Sequence, residues 1–331
     1  MDACSWENAI ARAIFHIAGD PNPFAVFAAV TGSTPPAAAQ GVQMELRKIA
    51  EDVYVLQHPL GSSNSIFIVT EEGVVVFDAD IRTADQVFAA IRRTTEQPIR
   101  YVIVSHPAGD HSTGGWHFRE DNPAIIASRT QAQSMAAEEM VEFNERRDSS
   151  DALYAPYRNT EFVQPDIIFD GTLTLRLGGL TFQVTEEGSA HSTSDVTLYI
   201  PEKNILTMGD LFKSEMHTGP GDTVYSTFGA AKGWIAIIDG IVARNLAVDT
   251  YVPGHGPVHV GRGVEDLREL RSYFVAMRAE VSAMIASGLS EEEVLADFQT
   301  PSEFSHYLQA DRLGRFLPYY YRPLKAESDA P

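Results

Sequence analysis

The chain has 331 residues, with 45 Asp+Glu against 25 Lys+Arg for a formal net charge of −20, and 44% of its residues are hydrophobic. That composition folds, and its acidic balance argues against a grip on nucleic acid or an anionic membrane surface, both of which need a basic face. The single cysteine, Cys4, excludes a disulfide framework, a CxxC redox pair and a zinc site built from several thiolates, so any metal chemistry must use His and carboxylates. No run approaches ~18 consecutive apolar residues, so no spanning helix is expected.

Residues 1–44 read as an appendage: an amphipathic helix over 6–17, then a Pro-rich linker (GSTPPAAAQG). The apolar run 23–31 followed by Ala37-Ala38-Ala39-Gln40 has the look of the later half of a secretory signal. Against this stand Asp2, Glu7 and Asp20, with Arg12 the one basic residue before the run, so the compartment, cytoplasmic or periplasmic, stays open. Short strands are predicted at 53–56, 65–69 and 74–77, then a helix over 83–95 with Thr83 at its N-cap. The continuous apolar run 100–105 predicts a strand buried on both faces. A helix over 128–147 follows. The second half repeats the theme, with strands at 167–169, 173–177, 180–185, 197–200 and 205–208, a helix over 230–244, a strand at 250–253 and a long helix over 264–286. The aromatic tail 291–324 reads as helical, either core or the surface of a homodimer. Two blocks of strands, each finished by helices, predict a layered α/β domain.

The chemistry concentrates in four places. His106-Pro107-Ala108-Gly109-Asp110-His111 follows a buried strand, at the carboxyl end where α/β proteins place ligand sites. His191 sits in a Gly/Ser turn after a strand. Asp210 follows Met208-Gly209, and His255 lies between Gly254 and Gly256, each at a strand end beside glycines that let the chain turn tightly. Around these, Trp116, Phe212, Met216 and Trp234 are candidates for an apolar pocket wall, with ordinary core as the alternative. His217 is a candidate lid residue.

The order of these four elements resembles the metallo-β-lactamase superfamily of zinc hydrolases, whose signature is H-x-H-x-D-H followed by a separate His, an Asp or Cys, and a last His. The resemblance covers about residues 46–260. It implies an αββα sandwich domain over 45–262, with helical extensions at 1–44 and 263–331, the latter completing the domain or forming a dimer surface. Carried over by position, Asp110, His111 and His255 hold one metal and Asp210 bridges to a second. His106 and His191 belong to that second site, but Ala108 stands where the family has its middle histidine. One tight zinc is therefore expected, the second weak or absent. Asp110 in the metal site, with His106 and His191 as general acid/base groups, would carry a metal-assisted attack by water. With its one complete site, Ala108 and apolar walls, the chain is similar to what is expected of the chlorothalonil hydrolytic dehalogenase branch. The implied substrate is a small, apolar or aromatic molecule, here an electron-poor chlorinated ring. The alternatives are an ester, lactone or β-lactam hydrolase and, in another class, an inactive metal-binding module. The intact four-residue set weighs against the last.

Overall fold

The computed structural model describes residues 43–59, 62–219 and 229–330. The readings made for residues 1–42, the signal-like run included, lie outside them. Seven strands form the first sheet in chain order: β1 (Glu45–Ala50), β2 (Val53–Gln57), β3 (Ser65–Thr70), β4 (Gly73–Phe77), β5 (Ile99–Ile103), β6 (Ala124–Ser128) and β7 (Ile167–Phe169). β1 to β4 pair antiparallel as a meander, and β4 to β7 pair parallel. The crossover from β4 to β5 is α1 (Ala84–Thr94), which buries Val87, Ala90 and Ile91. A four-residue turn, α2 (Gly109–Ser112), follows β5. After β6 come α3 (Arg129–Ser134), a π-helical turn over Met135–Glu139, and α4 (Met140–Asp148).

The second sheet has the order β12-β11-β10-β9-β8. Its strands are β8 (Thr172–Leu177), β9 (Leu180–Gly188), β10 (Asp195–Ile200), β11 (Ile205–Thr207) and β12 (Thr250–Val252). Helix α5 (Lys232–Ala243) connects β11 to β12, and α6 (Glu265–Ala286), α7 (Glu291–Asp297) and α8 (Leu313–Ser328) follow.

Three apolar layers hold the two sheets and their helices together. Between the sheets, Val53, Ile66, Val75, Phe77 and Ile103 meet Phe182, Val184, Val196, Leu198 and Val252. The outer face of the first sheet, through Phe67, Val74, Val76 and Val102, packs on α1. The outer face of the second, through Tyr199, Leu206 and Tyr251, packs on Trp234 and Ile238 of α5, Leu270, Phe274 and Met277 of α6, and Leu317 and Tyr320 of α8. This is an αββα sandwich. The inner strands β3, β4 and β10 are buried along nearly their whole length because both faces are covered. Among the described residues no helix is long and apolar enough to cross a membrane.

Three local differences from the sequence reading have simple causes. β1 mixes charged and apolar residues without strict alternation (ELRKIA) at the edge of its sheet, and its pattern is too weak to stand out. β6 (AIIAS) is short, with two alanines among its five residues. The predicted helix over 128–147 is not continuous: its middle is the π turn, a distortion that recurs at functional sites.

Candidate metal centre

The ends of β4, β5, β9, β11 and β12 converge at one edge of the sandwich. Asp78, just past β4, adopts a left-handed backbone (φ 62°). That conformation lets its carboxylate face the next loop. Oδ1 accepts the Ser105 N–H at 2.7 Å and Oδ2 lies 2.9 Å from His111 Nδ1. With Nδ1 so engaged, His111 presents Nε2 to the cleft. The loop carrying His191 is tied by Asp195: its carboxylate accepts the backbone N–H groups of Ala190, His191 and Ser192 at 2.8–3.2 Å. Asn64 holds the His255 loop, donating to the carbonyls of Pro253 and Gly256 at 3.0 Å each. Gly209 has φ +51°, and a Cβ there would lie 2.3 Å from Ser105 Cβ. At Gly254 a Cβ would lie 2.4 Å from Asp210 Oδ1. Only glycine permits these backbones to approach closely enough to bring Asp210 and His255 together.

Two groups of donors result: Asp110, His111 and His255, and His106, His191 and Asp210. Asp210 belongs to both by distance. Its Oδ1 lies 3.1 Å from His111 Nε2 and 3.2 Å from His255 Nε2, while its Oδ2 lies 3.1 Å from His191 Nε2 and 3.8 Å from His106 Nε2. Asp110 Oδ2 is 3.6 Å from His111 Nε2 and 3.4 Å from His255 Nε2. The two imidazole nitrogens are themselves 3.2 Å apart. Donors at ~2.0–2.1 Å from a tetrahedral zinc stand ~3.3–3.4 Å from one another. Five separations among Asp110, His111, Asp210 and His255 thus match what a small divalent ion requires. Asp210 Oδ1 and His106 Nε2 are buried without a hydrogen-bond partner among the described residues, as acceptors awaiting a cation would be. The donor set of two imidazoles and two carboxylates fits zinc.

Electrostatics divide the four histidines. Burial pushes His106 well below its ordinary range, helped by the neighbouring His111, and pushes His191 down to about 3, helped by Lys213. Both are neutral at pH 7. At His111 burial acts the same way, but Asp210, Asp110 and Asp78 outweigh it and raise the imidazole. His255 is raised as well: burial opposes its charge, and Asp210 with Asp110 prevail. Asp110 and Asp210 stay well below the usual carboxylate range despite burial, Asp110 through His111 and His255, Asp210 through His255 and Lys213.

Two of the donors, His106 and His191, open onto a cleft of 460 Å³. His106, Ala108 and His191 line its floor, Glu138, Glu139 and Glu142 one wall, and Lys213, Arg315, Phe316 and Tyr319 others. The expected apolar wall is corrected here: Trp116, Phe212, Met216, His217 and Trp234 do not line this cleft. Phe212, Met216 and Trp234 are at most 3% exposed, as large apolar side chains usually are when a core is within reach. Trp234 stands behind His191, ring centres 5.7 Å apart, and donates to the Leu211 carbonyl. Trp116 packs near Phe143 and Tyr157 with Arg119 over its ring. His217 is no lid. It is buried, its Nδ1 3.3 Å from the Tyr273 hydroxyl.

Glu139, which ends the π turn, lies against the metal loop: a methyl on Gly109 would be 3.2 Å from its Oε2. Burial, then Glu142, push its carboxyl up to about 8. A carboxyl raised on folding contributes stability that is full below its unfolded value near ~4.3 and is lost as pH climbs through about 8. Glu139→Gln is therefore expected to flatten the fall in Tm between pH 5 and pH 9. Parallel Tm curves for the two proteins over that range would refute the assignment.

Comparison with known proteins agrees with the fold. The model of the metallo-beta-lactamase superfamily matches residues 58–255. The chain is 25% identical over 216 residues to metallo-beta-lactamase IND-1 of Chryseobacterium indologenes, covering 63% of this chain and 78% of that one. It is 26% identical over 159 residues to the 2,4-dinitroanisole O-demethylase subunit alpha of a Nocardioides species, covering 48% of this chain and 41% of the relative. The solved structure of an inverting sec-alkylsulfatase from Pseudomonas sp. superposes with a TM-score of 0.63 at 16% identity, over 85% of this chain and 50% of that one. The chain thus spans half or less of the lengths of the last two.

Proposed function

The chain belongs to the metallo-β-lactamase superfamily of metallohydrolases, and on that premise we propose that it works with one zinc ion, held by Asp110, His111, Asp210 and His255. The 3.1–3.6 Å spacing of those four donors carries this reading. A zinc in such a place lowers the pKa of water from ~15.7 towards ~7 and polarises the electrophile. The chain's own contribution is orientation and proton handling. Asp78 fixes the His111 ring, and Asp195 fixes the turn that carries His191. His106, neutral and engaged through Nδ1 with Ser105 Oγ at 2.8 Å, keeps Nε2 free to take a proton.

For the substrate we infer a small molecule with an electron-poor aromatic ring, and hydrolytic displacement of halide from it as the reaction. Two things support this. Phe316 and Tyr319 line the cleft and supply aromatic surface in place of the wall first expected. A relative is also named for dinitroanisole, an electron-poor aryl ether. Such a ring carries a good leaving group, so no strong acid is needed opposite His106. Acyl hydrolysis of an ester, lactone or β-lactam is the second reading, favoured by the likeness to a lactamase over 78% of that protein's length. Incubation with chlorothalonil, a simple lactone and a β-lactam, following chloride and ring opening in parallel, separates the two. Chloride release that ceases on chelation is expected. Lactone or lactam turnover without chloride would replace the aromatic reading with the acyl one. Metal uptake with no turnover of any kind would leave a binding module.

A further inference from the structure

His106 and His191 extend from different sheets, and on the one-zinc reading no tight ion lies between them. What joins their backbones is Gln131, the third residue of α3, which is fully buried. Its Nε2 donates to the Ser105 carbonyl at 2.6 Å, directly before His106, and to the Ser194 carbonyl at 3.2 Å, in the turn that carries His191. Its Oε1 accepts the Ser128 N–H at 2.8 Å and so caps α3. A primary amide has two N–H donors and one acceptor oxygen, and all of them are used here. Two hydroxyl contacts follow the same path, Ser128 Oγ to Ser194 Oγ at 2.8 Å and Ser134 Oγ to Thr193 Oγ1 at 3.1 Å. The two imidazole rings stand 4.7 Å apart, at 86° to each other.

We propose that Gln131 is a positioning residue: its amide brackets the strand end bearing His106 to the turn bearing His191, and so fixes the spacing of the two imidazoles without an ion between them. This rests on the reading above, in which His106 takes the proton. Asp195 holds the inner shape of the His191 turn through the N–H groups of Ala190, His191 and Ser192. Gln131 holds the place of that turn against the first sheet. The Ser105 carbonyl also accepts the Val196 N–H at 2.7 Å. The two sheets therefore stay joined when the amide is gone, and what changes is where the turn sits. Buried hydrogen bonds that lock a rotamer are the support a proton-transfer group needs, because a misplacement of about 1 Å can cost about 10²-fold in rate.

The test compares zinc-loaded wild type with Gln131→Met, which keeps the length of the side chain and removes its donors. Zinc per chain, kcat and KM on the substrate identified above, and a crystal structure are obtained for each. Gln131→Glu keeps the oxygen that caps α3, leaves at most one donor, and stands in if the Met version misfolds. Ser290→Ala removes the cap of α7, outside the cleft lining, and controls for lost stability alone: its Tm should fall while kcat holds. In Gln131→Met the tight ion is expected to stay, kcat per zinc-bearing chain to fall about 10- to 100-fold, KM to move less than about twofold, and the ring separation to grow by about 1 Å. An unchanged kcat in a folded variant would overturn the proposal, as would unchanged ring spacing. Loss of the ion along with activity would also overturn it, by making Gln131 a support of the whole metal loop. A wild type that turns over no substrate would overturn the hydrolase reading instead, and the ring spacing then decides this one.

Discussion

Asp210→Ala is expected to leave the protein without tightly bound metal and to lower activity by about 10³-fold or more, well beyond the ~10–100-fold typical of losing a residue that only orients a ligand. The geometry demands this size of effect. Asp210 reaches both donor groups through its two oxygens: Oδ1 is within 3.2 Å of His111 and His255, and Oδ2 is within 3.1 Å of His191. Without it, Asp110 is the one carboxylate left in the two donor groups, and less negative charge remains to balance a divalent ion. Zinc per chain after dialysis, measured beside a far-ultraviolet spectrum, checks the prediction. Asp210→Asn repeats it with the shape kept. A folded variant retaining one tight ion would show that the carboxylate is not a ligand.

His106→Ala should behave differently, keeping its zinc while turnover falls by about 10²- to 10⁴-fold, the span usual for loss of a proton-transfer group. His106 is 1% exposed on the floor of the cleft, and its Nε2 is 3.8 Å from Asp210 Oδ2, too far for a direct hydrogen bond. It is also outside the set of five short separations. Metal content and rate measured on one preparation distinguish the roles. Loss of zinc in this variant would make His106 a ligand and move the metal towards the second cluster.

How much of this was legible in the sequence depended on whether a signal was local. His106, Asp110, His111, His191, Asp210 and His255 each stand at the end of an apolar strand beside small residues, and that neighbourhood can be read without a structure. Asp78, which fixes the His111 ring, also follows an apolar strand, Val74-Val75-Val76-Phe77. Lys213 sits three residues after Asp210 and drew no notice, because its direction depends on a 3₁₀ turn and on pairing with His255, 42 residues away. Glu139 depended on a π turn that helical periodicity hides. Phe316 and Tyr319 reach the cleft from the last helix, about 200 residues beyond the metal loop. Of the candidates for a pocket wall or ordinary core, Phe212 and Trp234 are core: large apolar side chains satisfy that demand wherever a core is within reach.

The donors come from opposite sheets. His106, Asp110 and His111 extend from the first, while His191, Asp210 and His255 extend from the second. Neither sheet alone carries a complete set, and the contact between His111 and His255 closes a loop of 144 residues. An ion seated there would clasp the sandwich, and its tighter binding to the folded chain would add to stability. Zinc per chain is then also a count of correctly assembled molecules. Chelation is then expected to lower Tm and to speed unfolding.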